Sequence, residues 1–160
     1  MPSMKHMPPA RILILADDLI WSSRLVGHAR AAGFDPVAVR SADAFGSALA
    51  AIVRPTGAIV DLTSRGYDGL VEIAAARAAG LPVLAVGQHD DHVLRRKAMA
   101  AGADRVLAYR KLFDDGPATI ARWWAGGRSA SGATGTPAEP AASSDLTWAE
   151  SAESAESIAR

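Results

Sequence analysis

The feature that most constrains this chain is a set of five short apolar runs between Arg11 and Tyr109, each continuous rather than alternating. They read Ile12–Leu15, Pro36–Val39, Ala58–Val60, Pro82–Val86 and Arg105–Ala108. Continuous apolar runs of this length are the mark of strands covered on both faces, as in a parallel sheet. The segments between them have helical spacing and suitable caps: Asp18 before the first, Ser41 before the second, Asp90 or Asp91 before the fourth. Three of them end in the same phrase, at Ala31-Ala32-Gly33, Ala78-Ala79-Gly80 and Ala100-Ala101-Gly102. A glycine there can adopt the left-handed conformation that closes a helix. A last helix is expected from Pro117 to Trp124. The pattern is a doubly wound α/β domain, a (βα)5 parallel five-stranded sheet, over residues 10–125.

Residues 1–9 read as a flexible N-terminus and 126–160 as a low-complexity, disordered tail. From Gly126 to Ser144 the chain is Gly, Ser, Ala, Thr and Pro with hardly a large apolar residue, too little to offset its ordering entropy. The tail ends in Trp148 and a threefold Ala-Glu-Ser repeat, Ala149 to Ser157. It is either a solvated tail or a partner-docking peptide anchored on Trp148. The charges divide unequally, net −3 from Gly126 onward against +3 before it, although Lys plus Arg and Asp plus Glu both number 17.

That overall neutrality argues against a dedicated nucleic-acid binder. With no cysteine, disulfides, thiolate zinc sites and cysteine nucleophiles are excluded. No apolar run approaches the ~18 residues of a membrane span, and the start lacks the apolar core of a secretory signal. A cytoplasmic protein without membrane or nucleic-acid partners is the expectation.

In open parallel sheets chemistry gathers at the carboxyl ends of the strands. Strand 1 ends in Ala16-Asp17-Asp18 and strand 3 in Asp61. With the first and third strands adjacent, Asp17 and Asp61 come together, and paired carboxylates either repel or recruit a hard cation such as Mg²⁺. Asp18 can be a further ligand or only a helix cap.

After Asp61 the chain continues Leu62-Thr63-Ser64-Arg65-Gly66-Tyr67-Asp68-Gly69. This arrangement resembles the receiver domains of bacterial two-component response regulators, in which strand 3 ends in a phosphoacceptor aspartate and the following loop closes in Asp-Gly. The resemblance extends to the acidic doublet after strand 1 and to Gly102-Ala103-Asp104 before strand 5, nearly the whole folded domain. It implies a flavodoxin-like fold, a non-enzymatic signalling role, Asp61 as candidate phosphoacceptor and Asp17, Asp18 and Asp61 as candidate Mg²⁺ ligands. The implied partners are a sensor histidine kinase or another signalling protein, with a candidate homodimer through helix 4, strand 5 and helix 5.

Several positions depart from the family pattern. The other acid of the strand 1 pair falls on Ala16. The hydroxyl residue ending strand 4 is Gly87, the lysine ending strand 5 is Tyr109, and the aromatic switch position is Val106. The resemblance therefore implies an atypical receiver, acting as a protein-interaction module with candidate phosphorylation at Asp61; the alternative is a phosphorylation-independent pseudo-receiver. Arg95, Arg96, Val106, Tyr109, Trp123 and Trp124 are the candidate interaction surface. A small Mg²⁺-dependent phosphatase-like enzyme or ligand-binding domain is the other class considered. It lacks a glycine-rich phosphate loop and a serine elbow, and Leu19 stands where a phosphatase would need its second acid. His89 and His92 beside Asp90 and Asp91 read as a solvated helix start, and Trp21 as a core or rim residue near the acids.

Overall fold

The computed structural model describes residues 7–88 and 90–131. Their order is β1 (Arg11–Leu15), α1 (Leu19–Ala31), β2 (Asp35–Val39), α2 (Ala42–Leu49), β3 (Gly57–Asp61), α3 (Gly69–Ala78), β4 (Val83–Gly87), α4 (His92–Ala101), β5 (Arg105–Ala108) and α5 (Tyr109–Ser131). All strand pairs are parallel, in the order β2-β1-β3-β4-β5. Each strand falls within one residue of its apolar run. The reason is visible in the burial: β3 and β4 are buried at every position, sandwiched between helical layers.

The period-two pleat sorts the core into two halves. On one side Leu13, Leu15, Val60 and Ala85 pack with Phe45, Ile73 and Ala98 of α2, α3 and α4. On the other, Ile12, Ile14, Ile59, Leu84 and Val86 pack with Leu25 of α1 and Leu112, Ile120 and Trp123 of α5. The caps are those the sequence suggests. Asp18 Oδ1 accepts from Trp21 N at 2.9 Å, Ser41 Oγ from Ala44 N at 3.2 Å and Asp91 Oδ1 from Leu94 N at 2.7 Å. Gly33, Gly80 and Gly102 have φ of 88°, 82° and 119°, a region that costs other residues strain.

The last helix differs from expectation. It begins at Tyr109, directly after β5, and runs to Ser131, with non-helical backbone at Asp115 (φ −159°, ψ 58°). Pro117 follows that break, where its missing N–H and fixed φ suit the start of a second helical segment. The sequence shows that second start clearly but not the first, Tyr109–Asp114, which is anchored by buried Leu112. Helix also continues past residue 125, so 126–131 is not tail. The expectations for 1–6, His89 and 132–160, Trp148 included, lie outside the described residues.

Two expected surface residues are core. Trp123 is 2% exposed and Val106 8% exposed. Trp124 is half-buried, its ring 5.5 Å from Phe34 and 5.9 Å from Trp123. Both indoles lie over Gly57, where a Cβ would come within 2.8 Å of Trp124 and 3.3 Å of Trp123. The close approach of α5 to the sheet requires a glycine there. Arg95 and Arg96 are exposed on α4, as expected.

Candidate functional site

The β1–β3 register pairs Leu15 with Val60, which brings the ends of these strands side by side. Asp61, the last residue of β3, is 0% exposed. Its Oδ1 accepts from Thr63 N and from Thr63 Oγ1, each at 2.8 Å, and from the Tyr109 hydroxyl in a short hydrogen bond. The Thr63 and Tyr109 hydroxyls are 3.0 Å apart. Asp61 Oδ2 is buried without a hydrogen-bond partner. Beneath it the Tyr67 hydroxyl donates to the carbonyls of Asp61 and Leu15, at 2.9 and 3.1 Å, joining the two strand ends.

Tyr109 is held from above. Its ring stacks on Trp21 of α1 at 3.7 Å between centroids and 27° between planes. Phe113, one turn along α5, meets Trp21 edge-on at 5.3 Å, and the Arg24 guanidinium lies 4.4 Å over the Phe113 ring. Trp21 thus belongs to the site as a lid over Tyr109, more than a rim residue.

The other acids are engaged separately. Asp17 Oδ2 accepts from Ser64 Oγ at 2.5 Å, and the Asp17 carbonyl accepts from Arg40 at 2.8 and 3.3 Å. The Asp18 carboxylate caps α1. Ala16 is buried, its N–H donating to the Val39 carbonyl at 3.2 Å. Among the described residues no group of three His, Cys, Asp or Glu side chains is placed to hold a metal ion. With Asp18 turned to its helix and Asp17 bonded to Ser64, the donors do not fit a three-carboxylate Mg²⁺ site. An open cavity of about 560 Å³ lies beside them, lined by Asp17, Asp18, Trp21, Thr63, Arg65, Gln88 and Tyr109. A Cβ on Gly87 would meet only Leu62, at 3.5 Å, so a small hydroxyl side chain fits there.

Burial, then the hydrogen bond to Asp61, pushes the Tyr109 hydroxyl far above its ordinary value, and burial with the Asp61 charge does the same to Tyr67. Unfolded tyrosines lose their proton near pH 10 while these keep theirs, so the folded state holds more protons and stability falls as pH rises. The urea midpoint is expected to decline above about pH 10, and less steeply in Tyr109→Phe. Equal slopes in wild type and variant would contradict the buried, bonded hydroxyl.

Sequence reasoning brings Asp17 and Asp61 to one edge and notes Tyr109 as a departure. It misses Thr63, Ser64 and Tyr67. The Asp-x-Thr at a strand end was a usable signal for Thr63, because an aspartate commonly accepts from the backbone two residues on. Tyr109, expected on the outer interaction surface, instead points into the acid site, because α5 begins immediately at β5.

No protein-family model matches the sequence, and comparison with curated proteins finds no match. Solved structures do match. One is a protein described as a response regulator of Chloroflexus aurantiacus J-10-fl, 25% identical over 62% of this chain and 84% of that one, with a TM-score of 0.58. A second is the signal receiver domain of a protein described as a Luxo repressor of Vibrio parahaemolyticus, 16% identical over 81% of this chain and 100% of that one, TM-score 0.65. A third is a response regulator protein of Burkholderia pseudomallei with a phosphorylated aspartic acid, calcium ion and citrate. It is 22% identical over 62% of this chain and 59% of that one, TM-score 0.55. The strand order, the strand-end acids and these likenesses agree: the chain has the fold of response-regulator receiver domains.

Proposed function

We propose that this protein is an atypical receiver module of two-component-type signalling that works by binding other proteins, without phosphoryl transfer to Asp61. The observation that carries this reading is the Tyr109 hydroxyl bonded to a wholly buried Asp61 carboxylate. An acceptor aspartate must present an oxygen in line with the donor phosphorus, with cations or hydroxyls ready for the phosphoryl oxygens. Here Tyr109 and Thr63 occupy one carboxylate oxygen, the other faces protein, and Trp21 braces the tyrosine. Arg110 and Lys111, the cations next in sequence, are exposed, and among the described residues neither makes a hydrogen bond or ion pair to Asp61. Asp61 is retained in this reading as the acceptor that ties β3, the following loop and the start of α5 together.

The partner is a signalling protein, with a histidine kinase or a second copy of the chain as candidates, and the exposed Arg95 and Arg96 offer it a basic face on α4. No helix among the described residues is long and apolar enough to cross a membrane. Chromosomal replacement tests the reading. An Asp61→Asn allele, which keeps the Oδ1 acceptor, is expected to retain whatever phenotype deletion of the gene removes. An allele that behaves like the deletion, with folded protein present at normal abundance, would overturn it.

A further inference from the structure

The lid over Asp61 carries an exposed patch on its outer side. Ile20 is 67% exposed, Leu19 64% and Phe113 55%. Ile20 and Arg24 are one turn apart on α1, as are Arg110 and Phe113 on α5, so each pair shares a helix face. Arg24 joins the two faces by lying over Phe113. Large apolar side chains edged by exposed arginines are unusual on a free surface and mark a contact site. The acids nearest in sequence are Asp18, beside Leu19, whose carboxylate caps α1, and Asp114, which lies about 100° around α5 from Phe113.

The chain contains a segment of the opposite character. Asp145–Ser157 has Asp145, Glu150, Glu153 and Glu156, no basic residue, and Leu146 and Trp148 as large apolar groups. It is also within reach. Back along α5 from Ser131 to Phe113 is about 27 Å at 1.5 Å per residue. The 17 residues from Ser131 to Trp148 can span at most about 58 Å. A tethered segment also meets the patch at a high effective concentration, which favours it over a free acidic partner.

We infer that Asp145–Ser157 docks on the Ile20–Arg24–Phe113 patch of its own chain, Trp148 against the exposed apolar groups and the glutamates toward Arg24 and Arg110.

Hydrogen exchange of the full chain, read by mass spectrometry, tests this. Peptides over Asp145–Ser157 and over Leu19–Arg24 are expected to exchange about tenfold slower than in Arg24→Glu/Arg110→Glu. Adding Glu150→Arg and Glu153→Arg to that variant is expected to restore the protection. Trp148→Ala, which leaves the described domain untouched, is expected to lose it. Free exchange of Asp145–Ser157 in the wild type would overturn the proposal, as would protection unchanged in Arg24→Glu/Arg110→Glu. Protection that grows with protein concentration would overturn it too, assigning the patch to a second copy.

Discussion

Tyr109→Lys combined with Gly87→Ser is expected to make Asp61 accept a phosphoryl group from acetyl phosphate at a rate at least tenfold above the wild type. The tyrosine hydroxyl occupies Asp61 Oδ1, and its ring is clamped by Trp21. Lysine at that position removes the cap and supplies an ammonium for the phosphoryl oxygens. A charge-assisted hydrogen bond is worth about 1.5–3 kcal/mol, and 1.4 kcal/mol is tenfold in rate. Serine at Gly87 adds a hydroxyl at the end of β4, where a Cβ makes only ordinary contact with Leu62. Intact-mass analysis would show the phosphoryl adduct, and adding Asp61→Ala would remove it. A double variant that stays as inert as the wild type while correctly folded would mean that Tyr109 is not the block.

The second large effect is on stability. Trp123→Ala is expected to cost about 3–5 kcal/mol, the range for truncating a buried large aromatic. Trp123 is 2% exposed and packs in the half-core with Ile12, Ile14, Ile59, Leu112 and Ile120. Its indole N–H is buried without an acceptor, so Trp123→Phe, which removes that group along with some volume, is expected to cost much less. Arg95→Ala and Arg96→Ala, on the exposed face of α4, are expected to change stability by less than about 0.5 kcal/mol. Urea unfolding measures all four. A loss below about 1 kcal/mol in Trp123→Ala would return Trp123 to the surface role that its sequence position suggests.

The contrast between Trp123 and Arg95 shows what was legible in the sequence. Strands and caps were legible because they depend on local signals: a continuous apolar run, an Asp or Ser before a helix, a glycine after one. That the ends of β1 and β3, which carry Asp17 and Asp61, lie side by side was legible because the two strands are neighbours, a consequence of topology. What Tyr109 and Trp123 do was not. Two consecutive tryptophans show helical phase only once the helix axis is known, and here α5 lies close enough over Gly57 to seat both. Tyr109 could be matched to the lysine position, but its direction follows from a helix that starts at the tyrosine itself, which the helix start read at Pro117 concealed. Thr63 bonds locally to Asp61, but Tyr67 bonds to the carbonyls of Leu15 and Asp61, which only the assembled sheet brings side by side.

Incubating the wild-type chain with acetyl phosphate and Mg²⁺, followed by intact-mass measurement, tests most directly whether Asp61 is closed to phosphoryl transfer. The structure predicts unmodified protein, with its folded spectrum intact throughout. A single phosphoryl adduct that disappears in Asp61→Ala would contradict the account, and would mean that Tyr109 leaves Asp61 readily enough for the acid to react.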